Sequence, residues 1–248
     1  MANSFSFNGI DMLAYGVIVT SHNIPDCKKD ITTIQLKDRA YSGDTKRGAK
    51  RLHLTCSIEG SDVSDIRDKL DDVIKIIDAG NCQLVVDGTG RYYNAEFEDR
   101  SSGNYFPTYW QGTLTFLCPD PLAYSTTETS SDFNIDADPD TIVETVGGTA
   151  ITLPVWTLTA GETLTDVTIK LENISTGEEL QWTGSLADED ELEIDTQYWK
   201  VKKNGVSAIS GMLSPYAFPR LAVGVNSIKV TGLSTTGTLN ITYRDAYA

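Results

Sequence analysis

Residues 90–124 read GRYYNAEFEDRSSGNYFPTYWQGTLTFLCPDPLAY, and this stretch decides the architecture. Tyr93, Ala95 and Phe97 alternate with Asn94, Glu96 and Glu98. Leu114, Phe116 and Cys118 alternate in the same way with Thr113, Thr115 and Leu117. A period of two sends one set of side chains to a buried sheet face and the other toward water, so two half-buried strands are predicted. Pro119 and Pro121 each lack a backbone N–H and fix φ, which stops the second strand at Cys118. The chain before this stop reads as one domain, and the chain after it as a linker and a second domain.

Working back toward the N-terminus, Phe5 and Phe7 alternate with Ser4 and Ser6 ahead of the turn pair Asn8-Gly9, and residues 15–20 give another short strand. Residues 31–58 read as a hairpin arm. Ile31, Ile34 and Leu36 supply one side, SGDTKRGAK the tip, and Leu52, Leu54, Cys56 and Ile58 the return. Lys46, Arg47, Lys50 and Arg51 gather positive charge at that tip, as a solvated loop or as a contact for an acidic neighbour. Val63, Ile66, Leu70, Val73, Ile74 and Ile77 form one helical stripe over residues 62–79, with Asp62 as its cap. Such a helix covers a sheet. Arg91, Tyr92, Tyr105 and Trp110 put aromatic and basic groups beside the organising strands, as core, intersubunit contact or sugar platform.

Composition narrows the function. A formal charge of −15 repels phosphate backbones and argues against nucleic acid. No N-terminal signal pattern and no long apolar run appears, so no membrane insertion is expected. Cys27, Cys56, Cys82 and Cys118 are too scattered for a metal-binding or redox pair, and His22 and His53 have no ligand array around them, so no metal and no cofactor is expected. Asp136, Asp138 and Asp140 alternate as in a calcium loop, but Thr141 and Gly147 stand where its glycine and glutamate belong. No nucleophile elbow or nucleotide loop is present, so an enzyme is not expected.

Residues 129–145 read as an acidic connector between a first domain, 1–128, and a second, 146–248. Short alternating strands with turn signals such as Lys203-Asn204-Gly205 run through the second domain without a helical stripe. The fold expected is mainly β. Its first half is a β-sandwich-like domain with one covering helix and a long hairpin arm, and its second half an antiparallel β-sandwich or jelly roll of lectin-like type. The acidic run from Asp188 to Asp195 reads as a solvated turn. Trp156, Trp182 and Trp199 are candidate glycan contacts or core residues.

Several of these stretches together resemble a known family. Phe5, Phe7, Asn8, Gly9, Gly16 and Val17 at the start, the Gly90-Arg91-Tyr92-Tyr93 strand, and the Gly112 to Phe116 strand closed by Cys118-Pro-Asp-Pro are similar to distal tail proteins of long-tailed, non-contractile bacteriophages. Thr176-Gly177, Leu192 to Asp195, and Phe218 to Leu221 followed by Gly224-Val225-Asn226 extend the resemblance through the second half. The resemblance implies a non-enzymatic virion protein, made in the host cytoplasm and placed at the distal end of the tail. It implies a hexameric ring, closed by a hairpin from the first domain, that joins a tail tube protein to a tail-tip hub protein. A receptor-binding protein or host cell-wall glycan is an implied further partner. The alternative reading is a carbohydrate-binding β-sandwich acting as a host-surface adhesion module.

Overall fold

The computed structural model describes residues 4–23, 29–36, 39–86, 88, 90–214 and 217–248, with the backbone alone described for 29–36 and 39–47. The described chain is mainly β with one α-helix, and it divides into two units, 1–126 with 248, and 127–247. Cys27 lies outside the described residues.

The first unit is built on an antiparallel path of strands. Its order is Ile10–Asp11, Phe5–Phe7, Cys82–Val86, Arg91–Arg100, Tyr109–Cys118, Lys50–Glu59 and Val17–Asn23. The two strands of the deciding stretch are neighbours at its centre, with Phe116 opposite Phe97 and a bulge beside that pair. Phe5 and Phe7 lie three strand steps from Phe116, roughly 14 Å in a flat sheet. Their ring centroids are in fact 5.8 and 5.6 Å from that of Phe116. The sheet therefore curls over itself and makes a sandwich-like core, with Leu52, Leu54, Cys56, Ile58 and Leu114 buried inside.

The helix Val63–Ile77 buries Ile66, Leu70, Val73 and Ile77, each contributing about 1.5–3 kcal/mol by leaving water. Val63, expected on the same stripe, is exposed at the first position of the helix. The Asp62 carboxylate accepts from the N–H groups of Ser64 and Asp65, which satisfies two donors that a helix start leaves open.

The expected hairpin over 31–58 is corrected. Lys29–Leu36 pairs with Arg39–Arg47 in a separate two-stranded sheet, from Lys29 opposite Arg47 to Leu36 opposite Arg39. Residues 42–47, read as tip, are strand, and Lys50–Glu59 belongs to the main sheet between Tyr109–Cys118 and Val17–Asn23. The polar run SGDTKR has no apolar alternation, so it carries no strand signal.

The second unit is a sandwich of two antiparallel sheets. One runs Thr129–Asn134, Thr238–Tyr243, Val155–Thr159, Glu191–Asp195, Lys200–Lys203, Val206–Ser207; the other Asp140–Val146, Gly224–Thr231, Leu164–Asn173, Glu178–Leu186, Met212–Leu213. Trp156, Leu158, Leu192, Leu239 and Ile241 from the first sheet meet Ile169, Leu171, Leu180 and Ile228 from the second in one buried core. Residues 129–145, expected as a connector, supply an edge strand to each sheet. Their charge concealed this, because Glu144 occupies the inward phase between Ile142 and Val146.

Candidate interaction surfaces

Each basic residue of the expected tip has a distinct place. Lys46 and Arg47 lie on the Arg39–Arg47 strand, and their side chains are outside the described structure. Lys50 is not a tip residue: it opens the Lys50–Glu59 strand on the inward phase, is buried, and holds its ammonium 4.9 Å from the Tyr93 ring centroid. Arg51, on the opposite face, makes a fork-shaped pair with Glu98 across the intervening strand, Nε to Oε2 2.6 Å and Nη2 to Oε1 2.7 Å. The hydrogen bonds from Arg51 hold the Glu98 carboxyl below its usual range.

The aromatic residues separate into core and surface. Trp110 is fully buried, with its ring against Gly112 and Gly103, so it is not available as an intersubunit contact. Tyr92 is buried and packs on Tyr124, at 5.7 Å between centroids, while Arg91 is exposed at the start of the same strand. Tyr105 is exposed and has the Arg67 guanidinium 5.6 Å from its ring, and Phe106 stacks on Tyr109 at 4.3 Å. Together Arg67, Tyr105, Phe106 and Tyr109 make an aromatic ledge. Arg67 was not singled out from the sequence, because its place beside Tyr105 depends on where the helix lies against the sheet.

In the second unit, two of the three tryptophans proposed for glycan belong to the core. Trp156 donates its Nε1–H to Thr196 Oγ1 at 3.2 Å and Pro219 O at 3.1 Å, and Trp182 donates to Ala208 O at 2.9 Å. Buried indoles need such acceptors, and both rings have them. Trp199 differs: it is 71% exposed and sits at φ +54°, beside exposed Tyr198, whose ring lies 4.9 Å from Lys200 Nζ. The acidic run is a braced turn. Asp190 accepts from Lys203 Nζ at 2.8 Å, Asn204 Nδ2 at 2.7 Å and Ala187 N at 2.7 Å, which holds its carboxyl at about 2. Lys202 pairs with Glu193 at 2.6 Å.

Burial pushes the Cys56 and Cys118 thiols up to about 12, so neither is a thiolate near neutral pH. Among the described residues no cluster of three or more His, Cys, Asp or Glu is placed to hold a metal ion. No described helix is long and apolar enough to cross a membrane.

Comparison with known proteins follows the same division. Residues 147–247 match the family described as siphovirus-type tail component, C-terminal domain. No curated protein matches the chain. Among solved structures, the SPP1 Dit (gp 19.1) protein, described as a paradigm of the hub adsorption apparatus in Gram-positive infecting phages, is 17% identical. It superposes with a TM-score of 0.80 over 98% of this chain and 99% of its own. Chains of the phage P2 baseplate in its activated conformation match at 10% identity and a TM-score of 0.51. The calcium form covers 98% of both chains and the strontium form 97% of both. At these identities the superpositions speak for the fold, while the matched domain speaks for descent. Residues 147–247 are thus similar to the C-terminal domain of siphovirus-type tail components, and the chain as a whole shares the fold of the SPP1 Dit protein.

Proposed function

We propose that this chain forms a hexameric, non-enzymatic ring at the distal end of a phage tail, joining the tail tube to the hub and the host-recognition apparatus. The observation that carries this reading is the hairpin of Lys29–Leu36 and Arg39–Arg47, a sheet of two strands. A lone two-stranded hairpin is marginal in water, so one of this length gains most from lying against a neighbouring copy. Repeating one heterologous contact around a closed ring satisfies every arm and leaves a central opening. The ledge of Arg67, Tyr105, Phe106 and Tyr109 supplies a second contact of the aromatic and arginine type that interfaces favour. The family match to a tail component and the Dit fold support the location.

Replacing residues 29–47 with a short Gly-Ser link tests the arm. The reading expects the shortened chain to keep its near-ultraviolet circular dichroism and lose the ring. A ring that still holds the wild-type number of copies would reject the arm as the closing element.

One observation favours a second activity in the second unit. Trp199 is a large ring held exposed at a left-handed backbone position, and its 71% exposure beside Tyr198 offers a stacking platform for sugar. Saturable binding on a glycan array that disappears in Trp199→Ala would establish it, and an array blank at high protein concentration would remove it.

A further inference from the structure

The second unit carries an open sheet edge whose pattern is complementary to itself. Asp140–Val146 is the terminal strand of its sheet, and Gly224–Thr231 pairs with it on one side only. Val143 lies opposite Ser227. The Ser227 carbonyl accepts from Ile174 N at 2.8 Å, and the Ser227 N–H donates to Ser175 Oγ at 3.0 Å, so both groups point away from Val143. Val143 and Ser227 are therefore a non-hydrogen-bonded pair, and Val143 turns its own N–H and C=O to the open edge. Thr141 and Thr145 share that orientation by the period of two.

Edge strands are commonly guarded by a charge, a proline, a bulge or brevity. This one has seven residues with an uninterrupted register, and its outward side chains are Thr141, Val143 and Thr145, with Val143 58% exposed. Its one acid of inward phase beyond Asp140, Glu144, is taken up by Tyr243.

We infer that this edge pairs with the same edge of a second copy, antiparallel about Val143. In that register Val143 faces Val143, and Thr141 of each copy faces Thr145 of the other, because Thr-Val-Thr reads alike in both directions. Two bonds join the Val143 residues, and Thr145 N–H donates to Thr141 C=O twice. Of the other two groups at those positions, Thr141 N–H is already engaged by Asp140 Oδ1 at 2.7 Å, and Thr145 C=O lies 3.3 Å from the Tyr243 hydroxyl, whose proton goes to Glu144. In a chain of net charge −15, an uncharged outward ladder is where two identical surfaces meet with least repulsion. At the ends, Asp140 comes opposite Val146 of the second copy, close to the Asp245 that accepts from Gly147 N. Rising salt screens that repulsion and strengthens the pairing, the reverse of an ion-paired contact.

The contact is two-fold and independent of the ring. It turns one copy into two, or six into twelve, so its test reads whether or not the ring forms. The full chain is followed by sedimentation velocity over a concentration series, with Val143→Pro and Val143→Lys. Proline removes the edge-facing N–H and costs the fold no internal hydrogen bond. The expected result is a concentration-dependent doubling of mass that strengthens with salt and weakens at least tenfold in both variants, with unchanged near-ultraviolet circular dichroism. A wild type that never doubles, or doubling equally strong in both variants, overturns the inference and leaves the edge to a different chain.

Discussion

The Tyr243 hydroxyl donates to Glu144 Oε1 at 2.7 Å, joining the two sheets of the second unit across 99 positions of sequence. Both residues are buried, at 5% and 8% exposure. Burial, followed by the Glu144 carboxylate, pushes the phenol well above its ordinary range, so it is a donor near neutral pH. Tyr243→Phe strips this partner from a buried acid. The expected loss is about 1–3 kcal/mol, read as a lower urea midpoint with unchanged slope. Glu144→Gln, which keeps an acceptor, is expected to lose less; the opposite ranking would show that the hydroxyl is not what holds Glu144.

Asp190 sets a pH dependence. Its carboxyl sits at about 2 in the folded chain against an ordinary 3.8, through Lys203, Asn204 and the Ala187 N–H. The unfolded chain therefore binds the proton first. Stability from this turn is complete above about pH 4 and lost as pH falls through about 2. Unfolding midpoints measured down that range should fall more steeply for wild type than for Asp190→Asn. Parallel slopes would remove Asp190 from the account.

Gly112 is fixed by its neighbour. A Cβ there would stand 2.1 Å from the Trp110 ring, and Trp110 is fully buried. Gly112→Ala is expected to cost about 1–3 kcal/mol by overpacking. Adding Trp110→Leu should make the second change cost less than it does alone, a coupling that a double-mutant cycle measures. Simple additivity would mean the two do not compete for that space.

The helix start gives a smaller effect. Asp62 accepts at 2.8 Å from Ser64 N and 3.0 Å from Asp65 N. Asp62→Ala should cost about 1 kcal/mol and raise hydrogen exchange at those two amides selectively. Protection unchanged at Ser64 and Asp65 would count against the cap.

Strands and helix were legible where a single face is buried. Phe116 and its alternating neighbours, and the stripe of Ile66, Leu70, Val73 and Ile77, needed only a period. Legibility ended where the partner lies far away in sequence. Glu144 interrupts an apolar alternation, and only Tyr243 explains it; without that bond, residues 129–145 read as connector. Lys50 looked like a charged tip because Tyr93 above it, and Cys118 opposite it, belong to strands the local pattern does not place. Trp156, Trp182 and Trp199 look alike in sequence, yet two find buried acceptors for their indole N–H and the third stands exposed. The hairpin arm reads with its first strand in place, but its return strand reads at 52–58, because the polar run from Ser42 to Arg47 carries no apolar alternation.

The central claim is the ring, and native mass measured on the full-length chain, with electron microscopy of the same sample, tests it most directly. The account predicts a mass of six copies, or of twelve where two rings pair through Val143, and images with six-fold symmetry around a central opening. A single-copy mass at every concentration, with no ring in the images, would contradict it.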